Sequence, residues 1–183
     1  VYNFNVVTTV SYQTLKTFGM KANDTAIMTK NTKEGVNELA YAADLTSTGF
    51  SDLGIGMSYV GSTAHQAGFS LAETASAMGI LSNNGLEADN AGTGLRKVIN
   101  SLVSAIKKID SKDSVLKKLG ITKNELLDAN GNMKSLIEIM CVLHTHTNDM
   151  TKTKRSAVFN RLIGTTGQQA GLILSPNTKE LGN

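Results

Sequence analysis

Leu95, Val98, Ile99, Leu102, Val103 and Ile106 recur at intervals of three and four residues, while Arg96, Lys97, Asn100 and Lys107 fall between them. That spacing puts the apolar side chains on one stripe of an α-helix and turns the cations to solvent. Met133, Leu136, Ile137, Met140 and Leu143 repeat the pattern with Lys134, Glu138 and His144 outside it, which predicts a second core helix. A third is expected over 153–163, burying Val158, Phe159 and Leu162. Further helices are expected over 6–18, 24–43, 52–66 and 71–83, with Asn23 or Asp24 and Ser51 placed as N-caps.

The breaks between these stretches are as informative as the stretches. Ser70 and Glu73 have the spacing of a capping box, so a helix should begin near Leu71, and Asn84-Gly85 can adopt the left-handed geometry that ends one. Gly92 and Gly94 then allow the following helix to approach a neighbouring backbone closely. Thr122 and Glu125 form another capping-box spacing, Gly120 stops the element before it, and short helices are expected after Lys112 and after Thr122. No long alternating strand is visible. Residues 126–133, with Asn130-Gly131 at their turn, carry either a small β-hairpin or a plain loop joining helices, and the loop is the favoured reading. The fold class expected is therefore all-α. It is a compact multi-helix domain of short helices punctuated by Gly68, Gly85, Gly92, Gly120, Gly131 and Gly164, with 126–133 as the one β candidate.

Composition supports a globular chain. At 183 residues, with 40% hydrophobic and 18% charged, it can bury a sizeable core, and its 5% aromatic content makes Leu, Ile, Val, Met and Ala the core-formers. No repeat, linker or composition shift divides it, so residues 1–183 are expected to form a single helical domain. The beginning at Val1 and the end at Asn183 match no terminus signal and suggest a segment of a longer protein. The most apolar run, 137–143, contains Glu138 and is far shorter than the roughly 20 residues that span a bilayer. A net charge of +3 comes from cations spread among Arg96-Lys97, Lys107-Lys108, Lys112, Lys117-Lys118, Lys152, Lys154-Arg155 and Arg161. Without interleaved aromatics these read as a solvated surface rather than a nucleic-acid site.

Candidate chemistry is sparse. Cys141 and His144 lie three apart and could form a nucleophilic pair, but no orienting group accompanies them, and packing is the better account. The single cysteine excludes an internal disulfide. His144, His146 and Asp149 invite a metal, yet residues two apart on a helix diverge. His65 reads as a surface or packing residue. Asp128-Ala129-Asn130-Gly131-Asn132 superficially matches a calcium loop, but the sixth position is Met133 and the twelfth Ile139. Gly54, Gly56 and Gly61 lack the spacing and the preceding strand of a phosphate cradle and are read as helix-packing glycines. No catalytic, cofactor-binding or metal residue is predicted, and no cofactor.

One ordered series adds to this reading. Gly68-Phe69-Ser70, Glu73-Thr74-Ala75, Asn84-Gly85, Ala91-Gly92-Thr93-Gly94-Leu95-Arg96, Leu119-Gly120-Ile121, Asp128-Ala129-Asn130-Gly131-Asn132 and Leu162-Ile163-Gly164-Thr165-Thr166-Gly167 resemble, in this order, the conserved domain of phage tail tape measure proteins. The resemblance runs from about residue 18 to 174. The chain departs from the family's usual look at 107–112, where a proline-containing break is more common, and at Met140-Cys141-Val142. What the resemblance implies is a non-enzymatic structural component of phage or prophage tails, concerned with tail length and tail-tube scaffolding. Its implied partners are the tail tube, tail-assembly chaperones and copies of itself. It would lie in the virion tail, and in the bacterial host cytoplasm during assembly. Two rivals stand beside it: a basic helical nucleic-acid-binding module, and a cell-wall hydrolase or peptidase domain.

Overall fold

The computed structural model describes residues 3–45, 47 and 49–175. Among them the chain forms α1 (Phe4–Thr17), α2 (Thr25–Leu45), α3 (Phe50–Gln66), α4 (Leu71–Asn83), α5 (Ala88–Lys107), α6 (Val115–Lys118), α7 (Lys123–Leu126), α8 (Leu136–Thr145), α9 (Lys152–Ile163) and α10 (Thr165–Leu174). The all-α class is thus correct.

Capping decides most of the boundaries. Asp24 accepts the Ile27 N–H at 2.9 Å, the expected cap of α2. Ser70 and Glu73 close the expected box on α4, and Thr122 and Glu125 do the same on α7. Ser51 does not cap α3: Gly49 is the N-cap and Ser51 lies in the first turn, because Phe50 is already helical and buried. The helix expected from Met133 starts instead at Leu136, where Ser135 and Glu138 form a third capping box. α10 was not anticipated. It follows α9 through Gly164, whose φ of 83° lets the chain stop one helix and start another without a loop.

Residues 126–133 form a loop with no hairpin ladder. Among the described residues the pairing is one isolated antiparallel bridge, Leu127 to Met133. Asp128 explains why it goes no further: its Oδ1 accepts the N–H groups of Asn130 at 2.9 Å and Asn132 at 2.8 Å, curling the backbone away from an extended path. Nor are the helices uniformly short, since α2 has 21 residues and α5 has 20.

α5 is the central element, packing against α3, α4, α6, α9 and α10. Leu95, Val98, Ile99 and Leu102 are buried as their spacing predicts, Val103 is half-buried, and Arg96, Lys97, Asn100 and Lys107 are exposed. α3 is held on two sides through its glycines. Gly54 and Gly61 lie against Val10, Thr17 and Phe18 at α1, while Gly56 meets Gly92 of α5 backbone to backbone. One hydrophobic cluster runs from Phe18 to Leu174 and takes in α2 through α10. Among the described residues no helix is long and apolar enough to cross a membrane.

Candidate functional site

The residues singled out for chemistry do not converge. Cys141 is half-buried in α8, and its carbonyl accepts the Thr145 hydroxyl at 2.9 Å. His144 is half-buried with its Nδ1 enclosed and without a hydrogen-bond partner. Such a buried orphan costs about 1–3 kcal/mol in general. His65 packs its ring edge against Phe18, with centroids 6.1 Å apart. The Asp128 carboxylate is engaged by its own loop, whose Asn132 N–H, first among several donors, holds its pKa below the usual range. A calcium ion would have to displace those bonds. Among the described residues no group of three His, Cys, Asp or Glu side chains could hold a metal ion.

His146 does something local spacing could not reveal. Standing at the C-cap of α8, it reaches back over 21 residues to α7: Nε2 lies 2.9 Å from Glu125 Oε1, and Nδ1 lies 2.9 Å from the Leu119 carbonyl oxygen. Both partners accept, so both contacts are hydrogen bonds when the ring carries two protons. The other oxygen of Glu125, Oε2, accepts from the Thr122 N–H and hydroxyl, each at 2.8 Å. Glu125 therefore serves as helix cap and tertiary clasp together. The Thr122 backbone N–H, then His146, lower its pKa to about 2.

The linkage sign is that of a depressed carboxylate. Its stabilisation is fully present above the unfolded value, 4.5, and is lost as pH falls through about 2. The side chain is 37% exposed, so solvent screening reduces the stabilisation to about 1 kcal/mol. In urea unfolding, the native chain should lose about that much more stability between the two pH values than a chain without the Glu125 carboxylate, the rest of its acid loss including Asp128 and Glu138, which are also held low. Glu125→Gln should flatten that dependence, and identical pH profiles would remove the clasp.

Glu73 shows the same economy. Oε2 accepts from the Ser70 N–H at 3.0 Å, and Oε1 accepts the Leu136 N–H at 3.0 Å, so one carboxylate caps α4 and the first turn of α8. The 63-residue separation left no local signal for the second contact.

Cations that looked dispersed are partly gathered. Lys97, Lys108 and Arg161 line a groove of about 520 Å³ between α5 and α9, with Asp113 and Ser101. Ser101 donates to the Ile163 carbonyl at 3.0 Å and fixes the end of α9 against α5. A second cavity, at the corner between α8 and α9, holds Arg155. Its guanidinium lies 5.2 Å from the Phe159 ring centre and donates to the Ser175 hydroxyl at 2.8 Å. Burial pushes its pKa down. Arg155 and Phe159 stand one helical turn apart, a spacing that local sequence does carry.

The arrangement is thus one of caps, clasps and close helix crossings. The chain matches the family model described as phage-related minor tail protein over residues 3–164. It belongs to that family. It is also similar to a tape measure protein of Pneumococcus phage Dp-1, 32% identical over 150 residues, which covers 82% of this chain and 12% of that relative. This minor tail protein chain therefore spans a small part of the length of the relative it matches. No solved structure matches it. Neither a nucleic-acid module nor a hydrolase finds support in these comparisons.

Proposed function

We propose that this chain is one helical module of a much longer tape measure protein, a structural part of the tail with no catalytic, metal or cofactor residues of its own. The carrying observation is the family match over 3–164 together with similarity to a tape measure protein. Its partners would be the tail tube, tail-assembly chaperones and further copies, reached in the host cytoplasm during assembly and retained in the virion tail.

The module would contribute contacts rather than length. As one continuous helix, residues 1–183 would reach roughly 275 Å at 1.5 Å per residue. Folded back at turns such as Gly68 and Gly164, the chain would have a radius of gyration near 16 Å, roughly what a compact domain of this size has.

The test is an in-frame deletion of 44–174 in the parent protein, followed by electron microscopy of the tails. Few or no tails are expected, because the deletion removes most of the core and the surfaces it displays. Normal numbers of tails, shortened in proportion to the residues removed, would make the segment a ruler and overturn the module reading.

A further inference from the structure

We propose that the cavity between the α8–α9 corner and α10 is a binding pocket for the C-terminal carboxylate of a partner polypeptide whose last side chain is apolar. The cavity measures about 640 Å³ and is lined by His144, Asn148, Met150, Lys152, Arg155 and Leu172, with Ser156 completing it. This volume lies within the range of small-ligand sites and is enough for about two residues of a peptide.

The charge in the pocket is unbalanced. Arg155 and Lys152 bring cations, Asn148 brings an amide, and among the described residues no acid lines the wall. Arg155 touches neutral oxygens, Thr147 Oγ1 at 3.4 Å and Ser175 Oγ at 2.8 Å, and it lies against the Phe159 ring. Lys152 forms no ion pair among the described residues. A partly desolvated guanidinium without a carboxylate is unfavourable, and its planar fork suits a carboxylate better than any other common group.

The remaining wall selects what carries the carboxylate. Met150 and Leu172 offer apolar surface beside the cations. A chain terminus places a carboxylate and an apolar side chain on the same Cα. An Asp or Glu side chain does not, and an inorganic anion leaves Met150 and Leu172 uncovered.

Calorimetric titration of the whole chain decides this, with four probes: acetyl-Ala-Ala-Leu as the free acid, the same peptide as its amide, 3-phenylpropionate, and inorganic phosphate. The peptide acid should bind saturably and the amide about tenfold more weakly or worse, the loss of one charge-assisted contact. Lys152→Met, at an exposed position, should weaken the acid by about tenfold while Lys107→Met leaves it unchanged. Arg155→Met should do at least as much, with circular dichroism establishing that it is folded. Should Arg155→Met unfold, Lys152→Met still decides. Equal binding of acid and amide, binding of neither, phosphate bound as tightly as the peptide acid, or an unaltered Lys152→Met would each overturn the proposal. Binding of phenylpropionate without the peptide acid would reassign the pocket to a free carboxylic acid.

Discussion

Leu102→Ala is expected to cost about 2–5 kcal/mol of unfolding free energy, the usual range for truncating a buried leucine. Leu102 has no exposed surface and stands in the C-terminal half of α5, the helix against which α3, α4, α6, α9 and α10 all pack. The cost within that range depends on how far the surrounding helices can close on the cavity the truncation leaves. Lys107→Ala, at the exposed last residue of the same helix, should change stability by no more than about 0.5 kcal/mol. Urea unfolding of the two variants beside the native chain measures the difference. Equal losses would place the buried face of α5 elsewhere.

Gly92→Ala should destabilise although alanine is the better helix former. A Cβ at position 92 would press on the Gly56 carbonyl oxygen of α3, and it would sit 2.9 Å from the Gly56 Cα and 3.0 Å from its carbonyl carbon. These are backbone atoms inside a buried helix, so no side chain can swing away and one helix must shift. Overpacking of this kind costs about 3 kcal/mol at the upper end of its usual range, and the propensity gain of about 1 kcal/mol offsets only part of it. A net loss of about 2 kcal/mol or more is expected, a fall in melting temperature of roughly 4–8 °C for a chain of this length. Gly49→Ala is the comparison, since a Cβ there would meet nothing nearer than Asp52 Oδ2 at 3.9 Å. Its change should stay within about 1 kcal/mol. A Gly92→Ala variant as stable as the native chain would mean that α3 and α5 do not cross at this point.

The two variants also mark how far local pattern reaches. Leu102 announces itself, because its neighbours at three and four residues are apolar and the intervening positions are charged. Gly92 and Gly56 each announce freedom to approach something, but they stand 36 residues apart and nothing in the local pattern pairs the one with the other. The start of α8 shows a different failure. Apolar periodicity extends to Met133, yet the capping box of Ser135 and Glu138 sets the boundary, because satisfying orphan N–H groups outweighs adding one more apolar residue to the stripe. α10 escaped because Gly167, Gly171 and Ala170 bury their surface by being small, which produces little apolar periodicity.

What the sequence determined by itself is therefore the all-α class, the buried stripe of α5, and the capped starts of α2, α4 and α7. Each is settled within about two turns of chain, where side-chain spacing and capping act directly on the local backbone. Only the tertiary structure decided that Glu125 and His146 clasp across 21 residues, that Glu73 caps a helix 63 residues away, and that Lys152 and Arg155 share a cavity with Leu172. Those pairings depend on how helices are arranged in space. That arrangement follows from the summed burial of one cluster running from Phe18 to Leu174, and no short stretch of chain encodes it.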